Sequence, residues 1–246
     1  MSGHNKWSTI KHKKGAADAK RGRLFTRLIK EITMAAKLGG GAVDSNPRLR
    51  SAVQAAKKAS MPADNIDKAI KRGTGELEGV SYEEVTYEGY GPGGAGILIE
   101  TMTDNRNRTT AEIRHVLSKY GGNMASAGSV AFQFSKKGYV AVEKSAASED
   151  AVMEIALEAG AEDFRAEDSD LFEIYTDTGS LEGVKEALES RKVPVQTAEV
   201  QQVPQSTIAV GDKAPALLKL LEMLEDNDDV QKVWSNGDID DSYLQA

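Results

Sequence analysis

The sequence predicts an α+β protein of several domains, an N-terminal helical bundle followed by two α/β units, at least one of them with the ferredoxin-like βαββαβ order. Three observations lead there. Apolar residues in the first 75 positions recur at three- and four-residue spacing, the period of helices packed on one face. After Gly75 the pattern changes to alternating and β-branched runs interleaved with helical stretches. The charge divides at the same place. Residues 1–75 carry 17 Lys and Arg against 5 Asp and Glu, a net of +12, while residues 76–246 carry 14 against 33, a net of −19, and the chain totals −7.

The first helix is expected over 17–38, where Leu24, Phe25, Leu28, Ile29, Ile32, Ala35 and Ala36 form one stripe. Gly39, Gly40 and Gly41 stop it, since glycine reaches the left-handed conformation of a helix C-cap without steric cost. A second helix is expected over 47–59, with Asn46 as N-cap, Pro47 at the first helical position and Leu49, Val53 and Ala56 inward. A third, over 64–72, ends at Gly73 and turns Ile66, Ala69 and Ile70 inward.

"SYEEVTYEGY" and "GILIETMTD" read as strands joined by the glycine-rich "GYGPGGAG". That loop holds the G-x-G-x-x-G spacing twice, but a strand follows rather than a helix, and no Lys-Ser/Thr pair follows either. Dinucleotide and P-loop readings are therefore rejected in favour of a hairpin loop. Residues 109–120 read as a helix with Thr109 and Glu112 as its capping box, and "SVAFQF" at 129–134 as a further strand. Then come strand 139–142, helix 149–158, a strand around Phe164, strand 171–175, helix 181–189 and strand 195–200, the split βαβ order. A leucine-rich helix at 214–225 and a strand at 230–234 close the chain. Such a pair cannot bury its own apolar face, so it is expected to return to the earlier strands. The domains expected are 1–75, 76–136 together with 204–246, and an inserted 137–203.

Composition removes several kinds of chemistry. Without cysteine there is no disulfide, thiolate zinc site or Cys nucleophile, and His4, His12 and His115 are too scattered for a metal cluster. No stretch approaches the ~18 apolar residues of a membrane span. No G-x-S-x-G, H-E-x-x-H or kinase-type set occurs, so no catalytic residue, cofactor or metal is expected. A basic, acid-poor start also fits a mitochondrial presequence, but here it runs into a capped helix without a cleavage-like break, and a cytoplasmic protein is expected.

The basic start is the candidate site. Lys20, Arg23, Arg27, Lys30 and Lys37 share a stripe nearly opposite Leu28, Ile29 and Ile32, so the helix is expected to pack inward while showing cations outward. Arg21 adds to them. Ahead lie Lys11, His12, Lys13 and Lys14, and Lys6 beside Trp7 pairs a cation with an aromatic that could stack on a base. A solvated helix face is the plainer reading, but such faces mix the two signs and here acids are nearly absent. The expected partner is therefore nucleic acid, contacted at its phosphates, because no Asn or Gln on the stripe offers base readout. Arg106 and Arg108, just before the Thr109 helix, form a second candidate phosphate site, with local pairing to Asp104 and Glu112 as the alternative. His115 falls opposite that helix's apolar face and is expected to be exposed. The acids of "EDNDD" at 225–229 are read as solvated.

Taken together, "GHNKW", "KHKKGAADAKRGRLFTRLIKEI", "AAKLGGG", "NPRLRSAV", "YEGYGPGG", "DNRNRT", "GSVAFQFSKKG", "ALEAGAED" and "MLEDNDDVQKVW" resemble the YebC/PmpR family, over nearly the whole chain. The resemblance implies three domains around a central cleft, a cytoplasmic location and no cofactor. It implies DNA-binding transcriptional regulation, although related proteins, mitochondrial ones included, are translation factors at the ribosome. Ribosomal RNA and the ribosome thus stay open as alternative partners, and the oligomeric state stays open too, a monomer included. The family's basic motif falls on Lys6, Lys11, Lys13, Lys14, Lys20, Arg21, Arg23 and Arg27, and its D-N-R-N-R-T motif on 104–109.

Overall fold

The computed structural model describes residues 17–168 and 170–244. Three helices come first, α1 (Ala17–Gly39), α2 (Pro47–Lys58) and α3 (Ala63–Thr74). Ile32, Ala35 and Ala36 of α1 meet Leu49, Val53 and Ala56 of α2 and Ile66 and Ala69 of α3 in a small core. Full burial of Ile32 or Leu49 contributes about 2 kcal/mol each, so this bundle has little in reserve. Asn46 serves two helices at once. Its Oδ1 accepts from the Leu49 N–H at 3.1 Å, capping α2, while its Nδ2 donates to the Ala35 and Gly40 carbonyls at 2.8 and 2.9 Å, closing α1. The third helix runs past its expected end. Gly75, at φ 81°, is the C-cap, and Gly73 lies inside α3 where the helix backbone meets α1.

Strands β1 (Glu83–Tyr90) and β2 (Gly96–Thr103) form the expected antiparallel hairpin. Its glycine loop folds onto its own chain: a Cβ on Gly91 would stand 2.9 Å from the Leu217 side chain, and Gly93 and Gly94 take positive φ. Helix α4 (Arg106–Lys119) follows, then the two-residue β3 (Asn123–Met124) on the β1 edge. Helix α4 starts one turn earlier than expected because Asn105, not Thr109, is the N-cap, its side chain accepting from the Arg108 N–H at 3.1 Å. "SVAFQF" is not a separate strand. Ala131–Gln133 form a 3-10 turn, and Phe134 opens β4 (Phe134–Glu143), ahead of the limit expected at 137.

From β4 the chain passes through α5 (Glu149–Glu158), β5 (Ala161–Arg165), β6 (Leu171–Thr176), α6 (Leu181–Ser190) and β7 (Val195–Pro204). The sheet order β5-β6-β4-β7, antiparallel throughout, is that of the ferredoxin-like βαββαβ unit. Val152, Ile155, Val184 and Leu188 of its helices cover Val140, Val142 and Ile174 on one face. After β8 (Ile208–Ala209), helix α7 (Ala214–Glu225) leads to β9 (Val230–Ser235), which pairs with β2 and completes the order β3-β1-β2-β9. Short β10 (Gly237–Asp238), parallel to β8, and α8 (Asp241–Leu244) end the described chain. Helices α4 and α7 bury Ile113, Leu117, Leu217, Leu221 and Leu224 against Ile97, Ile99 and Val233. Leu98, Val130, Phe134 and Trp234 cluster separately.

One buried carboxylate fixes the loop after β3. Glu88, 7% exposed, accepts from the N–H groups of Gly128, Val130 and Ala131 at 2.6, 2.6 and 2.9 Å. Burial pushes this carboxyl up, and the three donors more than offset it, leaving it below the usual glutamate value. Glu88→Ala is expected to cost about 2–3 kcal/mol, since charge-assisted bonds are lost and the buried Val130 N–H is left unpaired. Amide hydrogen exchange should quicken first at Gly128, Val130 and Ala131; unchanged protection there would contradict the role given to Glu88.

Candidate nucleic-acid interface

Six of the expected contacts, Lys6, Trp7, Lys11, His12, Lys13 and Lys14, lie outside the described residues, as does the side chain of Lys20. The remaining cations of α1 divide sharply. Arg21 is exposed, with its guanidinium 5.4 Å from the Phe25 ring centroid. One turn further along, the stripe expected to face outward turns toward the body of the protein.

Arg23 reaches Asp226 at 3.3 Å. Arg27 donates to the Glu225 carbonyl, its Nε buried without a partner, and burial holds its guanidinium below its ordinary value against the pull of Glu225. Lys30 is 6% exposed. Its three ammonium donors go to Asp229 Oδ1 at 2.6 Å, the Asp228 carbonyl at 2.8 Å and the Met102 carbonyl at 3.2 Å. Lys37, at the far end, donates to Ser81 Oγ at 2.9 Å and to the Tyr82 carbonyl at 3.1 Å. The outward assignment of Lys30 is thus corrected: its donors are filled and water is excluded, so no phosphate can reach it. The reading of "EDNDD" is corrected with it. The segment after α7 is the receptor for the α1 stripe, because its carboxylates and carbonyls neutralise cations that would otherwise be desolvated alone.

Asp229 is the centre of this seam. Its Oδ2 accepts from Thr109 Oγ1 at 2.6 Å and from Arg108 Nη2 at 2.7 Å, while Oδ1 takes Lys30. Burial pushes the carboxyl up, but the hydrogen bonds from Lys30, Thr109 and Arg108 outweigh it and hold it at about 2. Arg108, held above its ordinary value by Asp229 and then Asp104, also meets Asp104 at 2.8 Å. For Arg108 local pairing therefore prevails over a phosphate site, and it pairs with Asp229 from across the chain as well as with Asp104. Arg106, in the first turn of α4, is exposed, and so is His115. A second tie runs through Arg48, which joins Glu31 at 2.7 Å to Glu84 of β1 at 2.5 Å.

The helical unit keeps exposed cations outside the α1 stripe that the sequence reading does not single out, Lys57 and Lys58 in the last turn of α2 and Lys71 and Arg72 in the last turn of α3. The signal was available, since cations favour helix C-termini, but that preference alone does not separate a dipole partner from a ligand contact. Arg72 and Lys37 also line a cavity of about 300 Å³ between α1 and residues 75–82, where the Lys37 ammonium is already engaged. No described helix is long and apolar enough to cross a membrane.

Comparison with known proteins agrees with this architecture. A family model described as the TACO1/YebC protein N-terminal domain matches residues 5–76, and one described as the TACO1/YebC second and third domain matches residues 82–237. The chain is 58% identical to a probable transcriptional regulatory protein of Desulfosudis oleivorans, covering 100% of both chains. It is 58% identical to one from Koribacter versatilis, covering 100% of this chain and 98% of that one. Among solved structures, a conserved hypothetical protein from Aquifex aeolicus is similar with a TM-score of 0.84 and 48% identity, over 94% of this chain and 96% of that one.

Proposed function

The chain belongs to the TACO1/YebC family, and from that premise we propose that it is a cytoplasmic, non-enzymatic, nucleic-acid-binding regulator, a transcriptional one that grips DNA phosphates through its helical domain. The relatives named above as probable transcriptional regulatory proteins support the regulatory part. The charge split carries the binding part. A unit of net +12 stands on a body of net −19, and within it Arg21, Lys57, Lys58 and Lys71 are exposed and in no salt bridge with a described residue. The proposed surface is these residues with Lys6, Trp7, Lys11, His12, Lys13, Lys14 and Lys20; Arg23, Arg27 and Lys30 are assigned to the seam instead.

One observation favours ribosomal RNA as the alternative target. Residues 40–46 separate α1 from α2, longer than the turn of a helix-turn-helix, so these two helices do not form the unit that sets a recognition helix in a DNA major groove. Titration against promoter DNA, scrambled DNA and ribosomal RNA at several salt concentrations, with ribosome co-sedimentation, separates the two. Equal affinity for promoter and scrambled DNA, together with co-sedimentation at physiological salt, would sink the transcriptional reading.

Reversing Lys13, Lys14 and Arg21 to glutamate is expected to weaken binding on the order of 100-fold and to flatten the salt slope by about 3, with the circular dichroism unchanged. Undiminished affinity in that variant would remove the site. Reversing Arg23 or Arg27 is no equivalent test, because it would break the seam as well.

A further inference from the structure

The acidic body contains one long interval of the opposite character. Residues 113–142 hold no Asp or Glu and four cations, Arg114, Lys119, Lys136 and Lys137, in a part of the chain whose net charge is −19. Lys137 is occupied by Glu162 at 2.6 Å. Arg114, Lys119 and Lys136 are exposed and in no salt bridge among the described residues. Arg114 lies along the β3 edge, its Nη2 3.9 Å from Met124 Sδ.

The loop leaving that edge is rigid. Ala125 N–H bonds the Glu88 carbonyl at 2.8 Å, the Glu88 carboxylate takes Gly128, Val130 and Ala131, and the Tyr90 hydroxyl donates to the Ser129 carbonyl at 3.0 Å. Val130 and Phe134 are buried on either side. Between those anchors stands Phe132, 69% exposed, the most exposed large apolar side chain among the described residues. A buried carboxylate thus holds a backbone whose outermost side chain is an aromatic ring in water. A loop backbone held in this way has little further entropy to lose when something stacks on the ring it carries.

We infer that this loop is a base-stacking platform for single-stranded nucleic acid, with Phe132 taking an unpaired base and the acid-free cationic interval drawing the backbone. The inference rests on the nucleic-acid reading above and adds that the strand is single at this contact. Charge selects the occupant. The buried positions of the interval exclude acids by themselves, but its exposed ones, Arg114, His115, Lys119, Asn123, Ser126 and Lys136 among them, carry cations and neutral groups with no acid, which suits a polyanion rather than an apolar partner.

The test uses the full chain with a single-stranded oligonucleotide carrying 2-aminopurine and with a blunt duplex of the same sequence. Phe132→Ala should weaken single-strand binding by about 10- to 100-fold and abolish the stacking quench, leaving duplex affinity and thermal midpoint unchanged, while Phe132→Tyr retains both affinity and quench. Single-strand affinity unchanged in Phe132→Ala overturns the platform, and if the wild type still binds duplex, the proposed function survives it. A wild type that binds neither probe overturns both. Self-association that disappears in Phe132→Ala, read by sedimentation, would assign the ring to a second copy and overturn the inference too.

Discussion

Asp229→Ala is expected to lower the unfolding free energy by about 3–5 kcal/mol, because removing one partner of a buried pair leaves the other charge desolvated and alone. Here that charge is Lys30, 6% exposed, with only the Asp228 and Met102 carbonyls left to it. Arg108 and Thr109 lose the same acceptor. Lys30→Met should then cost less in the Asp229→Ala background than in the wild type, since the two groups act as one unit. A pH dependence accompanies the loss. The Asp229 carboxyl titrates at about 2 in the fold and near 3.9 in an unfolded chain. A depressed folded value means that the contribution is fully present above about pH 4 and is lost as the pH falls through about 2, on the order of 2 kcal/mol in all. Urea unfolding of the wild type should weaken across that window, and the variant should lose that part of the slope. An alanine variant within about 1 kcal/mol of the wild type at neutral pH would remove Asp229 from the centre of the seam.

The seam also marks the boundary of what sequence could disclose. Local rules read most elements well. The leucines at 217, 218, 220, 221 and 224 mark α7, and the βαββαβ order, expected over 137–203 and found over 134–204, follows from two helical periods set between alternating runs. Asn46 and Pro47 mark the start of α2 because a cap is a contact between near neighbours. Misreadings came where two chemically similar residues competed or where the deciding partner was distant. Asn105 and Thr109 are both good caps, and Thr109 is drawn instead to Thr103 and Asp229 in the interior. Arg23, Arg27 and Lys30 of the α1 stripe share one face, but a helical wheel gives no hint of what that face meets. Its receptor lies 198 positions away in a run of acids that looks solvated when taken alone. Of the candidate site, the sign of the charge and its concentration at the start of the chain were legible. Which cations remain for a ligand depended on long-range pairing.

Gly73→Val is expected to unfold the helical domain while leaving the α/β body intact. The sequence pattern ends α3 at Gly73, yet a Cβ at position 73 would overlap the Thr33 carbonyl oxygen and stand 2.7 Å from the Ala36 Cβ and 3.1 Å from the Lys37 nitrogen. Those are backbone and near-backbone atoms of α1, so a rotamer change cannot relieve the overlap and the two helices must separate. Thr33 Oγ1, which bonds the Ala69 carbonyl at 3.2 Å, would be pulled from its acceptor. Alanine recovers about 1 kcal/mol of helix propensity against this strain; valine recovers less and adds two further carbons to a closed contact. Overpacking costs about 1–3 kcal/mol in ordinary cores, and a bundle resting on a handful of buried aliphatic side chains has little to absorb it. Circular dichroism should show a partial loss of helix, proteolysis should cut within residues 17–75, and the remainder should keep a cooperative transition at a lower midpoint, since Asp229 loses Lys30. If the proposed function holds, duplex affinity should fall with the helical domain, even though no cation has been changed. A Gly73→Val protein with the wild-type midpoint would mean that α1 and α3 do not cross as closely as this glycine implies.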